Sequence, residues 1–261
     1  MGSKLAVQMY TLRDFTKTAG ALADTLKKVA DIGYSAVQLS AVECMNGASP
    51  AVDAGQARRM LDDHGLACIA THRAWDHLVN CTEAEIAFHQ ALGCTFTAIG
   101  GIPGEHTMAR YRAFLDEARP VMAKLKQAGI RFGHHNHARE FAREPPRGMT
   151  LEDLLIDEGG ADLMLELDLF WIEHAGANSV SILNRCRGRV PVIHVKDKEV
   201  IPGTNNTRMA PVGEGLLDWD SILPACRAAG VEWYAVEQDD CFRDPFDCLE
   251  SSFDFLTAKG I

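Results

Sequence analysis

Basic residues are scarce: 26 Lys and Arg stand against 36 Asp and Glu in 261 residues, a formal net charge of −10. A surface of that sign repels phosphate backbones, so nucleic acid is not an expected partner. No apolar run approaches the roughly 18–20 residues needed to span a bilayer, and no membrane partner is expected either. The opening MGSKLAVQMYTLRDF lacks an apolar core of signal-peptide type. It also lacks the hydroxyl residue that a myristoylation signal wants at position 6, where Ala6 stands. These absences point to the cytoplasm. The eight cysteines (Cys44, Cys68, Cys81, Cys94, Cys186, Cys226, Cys241 and Cys248) form no CxxC pair. They read as reduced, buried small hydrophobes. Linkers, charge blocks and low-complexity segments are also missing. With 47% apolar and 24% charged residues, 1–261 reads as one domain with a large core.

What is present is a recurring unit: an amphipathic stretch, a glycine, then a short apolar run. It appears as KKVADIGYSAVQL, RRMLDDHGLACIAT, HQALGCTFTAIGG, KLKQAGIRFGHH, LLIDEGGADLMLELDL, LNRCRGRVPVIHVKD and CRAAGVEWYAVEQ. Gly33, Gly65, Gly93, Gly129, Gly160, Gly188 and Gly230 each suit the left-handed residue that closes a helix before a strand. The runs that follow are apolar on both faces, as parallel strands covered by helices are. With the opening strand LAVQMYTL and a last helix in PFDCLESSFDFLTAKGI, the pattern predicts eight βα units, a (β/α)8 TIM barrel. A doubly wound open sheet would need a Gly-rich phosphate turn after the first strand, and MYTLRDFTKTAG has none.

In such a barrel chemistry belongs at the C-terminal ends of the strands. Polar residues collect there on five strands: His72 on the third, HHNH on the fifth, Asp168 on the sixth, His194, Lys196 and Asp197 on the seventh, Glu237 and Asp239 on the eighth. Residues 131–141, RFGHHNHAREF, hold three of the chain's ten histidines. Alternation along the strand turns His135 and His137 into the barrel mouth and leaves His134 as a hydrogen-bonded histidine under a helix. Glu166 shares a face with Asp168 but lies nearer the floor, where Arg131 is a candidate partner. Two or three carboxylates with one imidazole make a hard, oxygen-rich site for a divalent ion with open positions. Mn²⁺ comes first, with Mg²⁺, Co²⁺ or Zn²⁺ as alternatives. Two oxygens of a hydroxy-ketone fill the open positions, and flanking carboxylates move protons.

On HHNHAREF, LELDLFWIEHAG, VIHVKDK, PVGEGLLDW and YAVEQDD, in that order, the chain resembles the xylose isomerase-like TIM-barrel superfamily, and within it the sugar phosphate isomerases/epimerases. The resemblance spans essentially the whole chain. It implies one divalent metal held by Glu, Asp, His and Glu from strands five to eight. Residue by residue, the last three match Asp168, His194 and Glu237. Many relatives place the first Glu inside strand five, where this chain has FGHHNH and no acid. Glu140 is the nearest acid and is assigned as that ligand, with His137 as the competitor. A His that often follows the Asp by three residues is here Trp171, and His174 is a possible substitute. PVGEGLLDW reads as a structural turn into the next helix.

The function implied is isomerisation or epimerisation of a small keto-sugar, sugar phosphate or polyol-derived ketone. Glu140 and Glu237 are the expected acid/base pair. His72, His135, His137, Trp171 and Lys196 are expected to hold the substrate. A lyase or dehydratase would share this machinery. A zinc endonuclease of the same fold is disfavoured by the acidic surface. A non-catalytic sugar-binding protein would keep the pocket and bind no metal. The expected partner is a small sugar or keto-polyol, and assembly into a homo-oligomer stays open.

Overall fold

A computed structural model describes residues 4–143 and 148–261. The strands are β1 (Leu5–Gln8), β2 (Ala36–Leu39), β3 (Ala67–His72), β4 (Phe96–Ile99), β5 (Arg131–His135), β6 (Leu163–Asp168), β7 (Val192–Val195), β8 (Asp197–Val200), β9 (Thr207–Ala210) and β10 (Trp233–Val236). Eight of them close a parallel barrel in the order β1-β10-β7-β6-β5-β4-β3-β2, so the expected eighth barrel strand is β10. β8 and β9 form a separate antiparallel hairpin that grows out of the end of β7. Among the described residues no helix is long and apolar enough to cross a membrane.

The helix–glycine–strand unit is the repeat the chain uses. Helix Ala19–Ile32 starts where the Thr18 hydroxyl accepts from Ala21 N, and it buries Leu22, Thr25, Leu26 and Val29, the spacing of one helical face. It ends at Gly33 with φ 117°, where a Cβ would lie 2.6 Å from the Phe253 ring. Both the backbone sign and the close ring demand glycine there. All seven glycines named from the sequence have positive φ, between 66° and 117°.

Two layers of apolar packing result. The larger lies between strands and helices; the smaller fills the barrel with Ala6, Ala36, Ile69, Ala70, Phe96, Ala98, Val192 and Ala235. Phe96 occupies the space that a side chain at Gly133 would need, since a Cβ there would come within 2.8 Å of its ring. Above this plug the inward residues turn polar.

Some strands end sooner than the sequence suggests. β1 stops at Gln8, whose side-chain oxygen accepts from Tyr10 N and starts a 3-10 turn, Met9–Phe15. β6 stops at Asp168, which caps helix Leu169–His174 and places Trp171 and His174 on that helix. β5 gives way to a 3-10 turn, Ala138–Phe141, that carries Glu140.

Candidate metal centre

The polar layer begins with register. Asp168 of β6 pairs beside His194 of β7, and Ala235 of β10 pairs beside His194 on its other side. Glu237, two residues beyond Ala235, therefore joins Asp168 and His194 on the inner wall. Asp168 Oδ2, His194 Nδ1 and Glu237 Oε2 are buried without a hydrogen-bond partner, and the donor atoms of these three residues lie within 4.8 Å of one another. His194 Nδ1 stands 2.8 Å from Glu237 Oε2.

Lys196, one layer further out on β7, closes this group from above. Its Nζ is 2.9 Å from Asp168 Oδ2, 2.7 Å from Glu237 Oε2 and 2.9 Å from Asp239 Oδ1. Only the last contact has the geometry of a hydrogen bond, so the other two are ion pairs that leave the oxygens free to take a further partner. Burial disfavours the Lys196 ammonium, but Asp168, Glu237 and Asp239 outweigh it and raise its pKa. Burial likewise opposes the Glu237 carboxylate, while Lys196 and His194 hold it well below the usual range. Asp168 is pushed up by burial, with Lys196 pulling the other way. Asp239 rises to about 6, through burial and the charge of Glu237.

The surroundings hold these side chains in place. Asn136 binds the Asp168 backbone from both sides, accepting from its N–H (2.9 Å) and donating to its carbonyl (3.3 Å). Asp168 Oδ1 accepts from Trp171 N at 3.0 Å, which turns Oδ2 toward the centre. Gln8 Nε2 donates to Glu237 Oε1 at 2.8 Å, leaving Oε2 for the centre. Below, Glu166 is fully buried. It accepts from Gln38 Nε2 (3.0 Å), contacts His72 Nε2 (2.5 Å) and faces His194 Nε2 (3.3 Å). A cavity of about 330 Å³ opens over the group, lined by His72, His135, His137, Lys196, Glu237 and Asp239 among others.

These donors fit a divalent cation. Three buried carboxylates, Glu166, Asp168 and Glu237, with the partly exposed Asp239 beside them, face a single ammonium, and this excess, which also draws a proton toward His194, suits a further cation. The three atoms without hydrogen bonds are two carboxylate oxygens and one imidazole nitrogen, the hard mixed set that Mn²⁺ or Mg²⁺ takes.

Sequence-based expectations meet different fates here. Asp168, His194 and Glu237 come together. His72, His135, His137 and Lys196 line the cavity. Trp171 stands beside them, its ring 5.8 Å from His137 and 6.0 Å from Lys196 Nζ. Glu140 is not brought to the centre. Its carboxylate accepts from Tyr111 OH (3.0 Å), Arg139 Nε (2.9 Å) and His137 N (2.8 Å), and it belongs to neither metal-competent group found among the described residues. The 3-10 turn carries it outward, where it ties the strand-five loop to helix Met108–Gln127.

Arg131 does not pair with Glu166. Glu166 is level with His135 in the sheet, two interior layers above Arg131, which instead binds Glu232 at 2.6 and 2.8 Å. His134 does lie under a helix, its ring 6.4 Å from Tyr111, but neither ring nitrogen has a hydrogen bond, and burial lowers its pKa to about 3. The sequence alone assigns no role in the site to Gln8, Gln38, Glu166, Asn136 or Asp239, although it places Asn136 and Asp239 at the rim and Glu166 on the face of Asp168. The first two had a signal: each is the lone polar residue at the end of an apolar strand, LAVQ and AVQL.

The family profile described as xylose isomerase-like TIM barrel matches residues 26–258. No curated protein matches the sequence. Among solved structures, a sugar phosphate isomerase/epimerase from Parabacteroides distasonis superposes with TM-score 0.82 at 20% identity, over 99% of this chain and 94% of its own. An L-ribulose 3-epimerase gives TM-score 0.74 at 16% identity, over 99% and 94%. A probable 3-DHS dehydratase from Bacillus anthracis gives 0.73 at 15%, over 98% and 99%.

Proposed function

The chain belongs to the xylose isomerase-like TIM barrel family, and from that premise we propose that it is a divalent-metal-dependent isomerase or epimerase of a small keto-sugar, sugar phosphate or polyol-derived ketone. The observation that carries this reading is the convergence of Asp168 Oδ2, His194 Nδ1 and Glu237 Oε2, buried and lacking hydrogen bonds, beneath a polar cavity of sugar-sized volume. The relatives in fold named for sugar phosphate isomerisation or epimerisation and for ribulose epimerisation support it.

Asp168, His194 and Glu237 would hold the ion, Mn²⁺ before Mg²⁺, Co²⁺ or Zn²⁺, which supplies Lewis acidity toward the oxygens of a hydroxy-ketone. The chain's own groups do the rest. Glu237 has its second oxygen tethered to Gln8 and stands at the cavity wall, placed to take a proton from the carbon next to the ketone. Lys196 is fixed among three carboxylates and presents a permanent positive charge to the oxygen that becomes negative as that proton leaves. Asp239 replaces Glu140 as the second acid/base group, because it reaches the cavity and Glu140 does not. His72, His135 and His137 line the wall against which hydroxyl groups of the substrate would rest.

Return of the proton to the other face of the same carbon completes epimerisation; its return to the neighbouring carbon, with the hydroxyl proton passing from one oxygen to the other, completes isomerisation. The same proton removal opens a β-elimination when the substrate carries a hydroxyl on the carbon β to the ketone, which departs as water, so loss of water is scored in the same assay. The test is incubation of candidate keto-sugars in D₂O with Mn²⁺, following the C–H signal. Metal-dependent exchange at the carbon beside the ketone is expected. No exchange and no turnover across keto-sugars, with no metal bound, contradicts the reading and favours a sugar-binding protein.

A further inference from the structure

We infer that His135, aimed by the buried carboxylate of Glu166, is the strand-five donor to the metal centre, which completes the set His135, Asp168, His194 and Glu237. This rests on the metal reading above and deepens it.

Glu166 sits on the same face of β6 as Asp168, one interior layer lower, level with His135 of β5. Its carboxylate is wholly buried and, when ionised, only accepts hydrogen bonds. Three imidazoles turn one nitrogen each toward its Oε2: His72 Nε2 at 2.5 Å, His194 Nε2 at 3.3 Å and His135 Nδ1 at 3.5 Å. A nitrogen facing a carboxylate oxygen at such distances carries the hydrogen, because a lone pair there would be repelled.

For His194 the same instruction arrives twice. Gln38 commits its amide nitrogen to Glu166 Oε1, so its oxygen must accept, and the donor it meets at 2.9 Å is His194 Nε2. The opposite nitrogens, His194 Nδ1 and His135 Nε2, are then the ones left for a cation, which takes the place of any hydrogen that Glu237 Oε2, at 2.8 Å, draws onto His194 Nδ1 while no ion is bound.

Those two nitrogens stand at like distances from one ligand oxygen, although only His194 Nδ1 also meets Glu237 Oε2 and His135 lies outside the trio whose donor atoms are within 4.8 Å of one another. His194 Nδ1 is 3.9 Å and His135 Nε2 3.8 Å from the same atom, Asp168 Oδ2, and the two rings are 4.4 Å apart. His135 is 3% exposed, yet it lines the cavity above the centre. Its Nδ1 has no hydrogen bond and is held toward Glu166 by charge alone. Of the two competitors just beyond β5, the Glu140 carboxylate is bonded to Tyr111, Arg139 and His137 N. His137 lines the cavity, its ring 4.9 Å from His135 and 5.8 Å from Trp171, but it belongs to neither group of donor atoms within 4.8 Å of one another. A carboxylate behind a ligating imidazole is a recurrent way to fix its tautomer and strengthen its donation.

A lower grouping competes for the ion. His72, His135, Glu166 and His194 also bring donor atoms within 4.8 Å of one another. An ion there would take the inward nitrogens and strip His194 Nε2 from Gln38, so the two arrangements use opposite nitrogens of the same rings.

That difference supplies the test. Wild-type protein labelled with ¹⁵N-histidine is loaded with ¹¹³Cd²⁺, and one-bond Cd–N couplings are recorded. Couplings are expected on His135 Nε2 and His194 Nδ1 and on no nitrogen of His72 or His137. Coupling on His194 Nδ1 alone overturns the inference and leaves the metal reading standing. Coupling on His72 Nε2 and His194 Nε2 puts the ion in the lower group and overturns it too. Wild type that binds no Cd²⁺ overturns the metal reading itself.

A Co²⁺ titration gives a second readout. His135→Ala and Glu166→Gln are each expected to raise the Kd by about 10–100-fold or more, and Glu140→Gln to leave it unchanged. A wild-type Kd in folded His135→Ala contradicts the assignment.

Discussion

Three buried carboxylates of this chain have three different duties, set by what each one touches. Glu237 faces the cavity with one oxygen tied to Gln8 and the other beside Lys196 and His194. If it is the base, Glu237→Gln keeps an oxygen for the ion but cannot take a proton. Exchange of the substrate C–H in D₂O with saturating Mn²⁺ should then fall by about 10²–10⁴-fold; exchange at the wild-type rate removes Glu237 from the mechanism. Glu140 instead fastens a loop. Glu152 does neither: it is 1% exposed, neither oxygen has a partner, and burial followed by the charge of Glu140 pushes its pKa up to about 8. The folded state keeps the proton that the unfolded chain releases above its ordinary value of 4.5. Its contribution to stability is therefore full below about 4.5 and is lost as pH rises toward about 8, an effect of the order of a few kcal/mol. Urea unfolding at pH 5 and pH 8.5 should show that loss in wild type and a smaller one in Glu152→Met. Equal losses in both proteins would contradict it.

At the scale of elements, the segment PVGEGLLDW shows why a motif near a site need not take part in chemistry. It packs onto the carboxylate of Asp197, at the start of β8. Oδ2 accepts from Gly213 N (3.0 Å), Gly215 N (3.3 Å) and Trp219 Nε1 (2.7 Å), and Oδ1 from Leu217 N (3.1 Å) and Lys198 N (2.8 Å). One buried side chain thus folds the whole turn and carries the chain into helix Trp219–Ala229. Asp197→Ala strands four backbone donors and an indole. At about 1–3 kcal/mol for each group left buried without a partner, partly relieved by water, a loss of several kcal/mol is expected in chemical denaturation. Gly215→Ala should also destabilise, since its Cβ would come 2.2 Å from Asp197 Oδ1. Stability within 0.5 kcal/mol of wild type in both variants would show that the turn does not depend on this contact. The elements themselves were legible in the sequence, because each glycine after an amphipathic stretch announces a helix end. What was hidden is local: β1 ends at Gln8 through its own side chain, and the β8–β9 hairpin lies in a stretch with no strong apolar alternation.

For the whole molecule, barrel closure does the work that sequence distance conceals. Asp168, His194 and Glu237 were readable because each ends an apolar run, and every such run in a parallel barrel points its end at the same rim. Gln8, Gln38 and Glu166 were harder, since their value appears only when β1, β2 and β6 face one another across the interior. Glu140 was misplaced because a spacing of three residues beyond His137 says nothing about the turn between them, and that turn leads away from the mouth. The central claim is that these residues hold one divalent cation at the upper inner wall of the barrel. Anomalous diffraction from crystals soaked in Mn²⁺ tests it most directly. One peak is expected, about 2.0–2.3 Å from Asp168 Oδ2, His194 Nδ1 and Glu237 Oε2. No peak there in crystals at neutral pH, or a peak bounded by His72 and Glu166 instead, would contradict it.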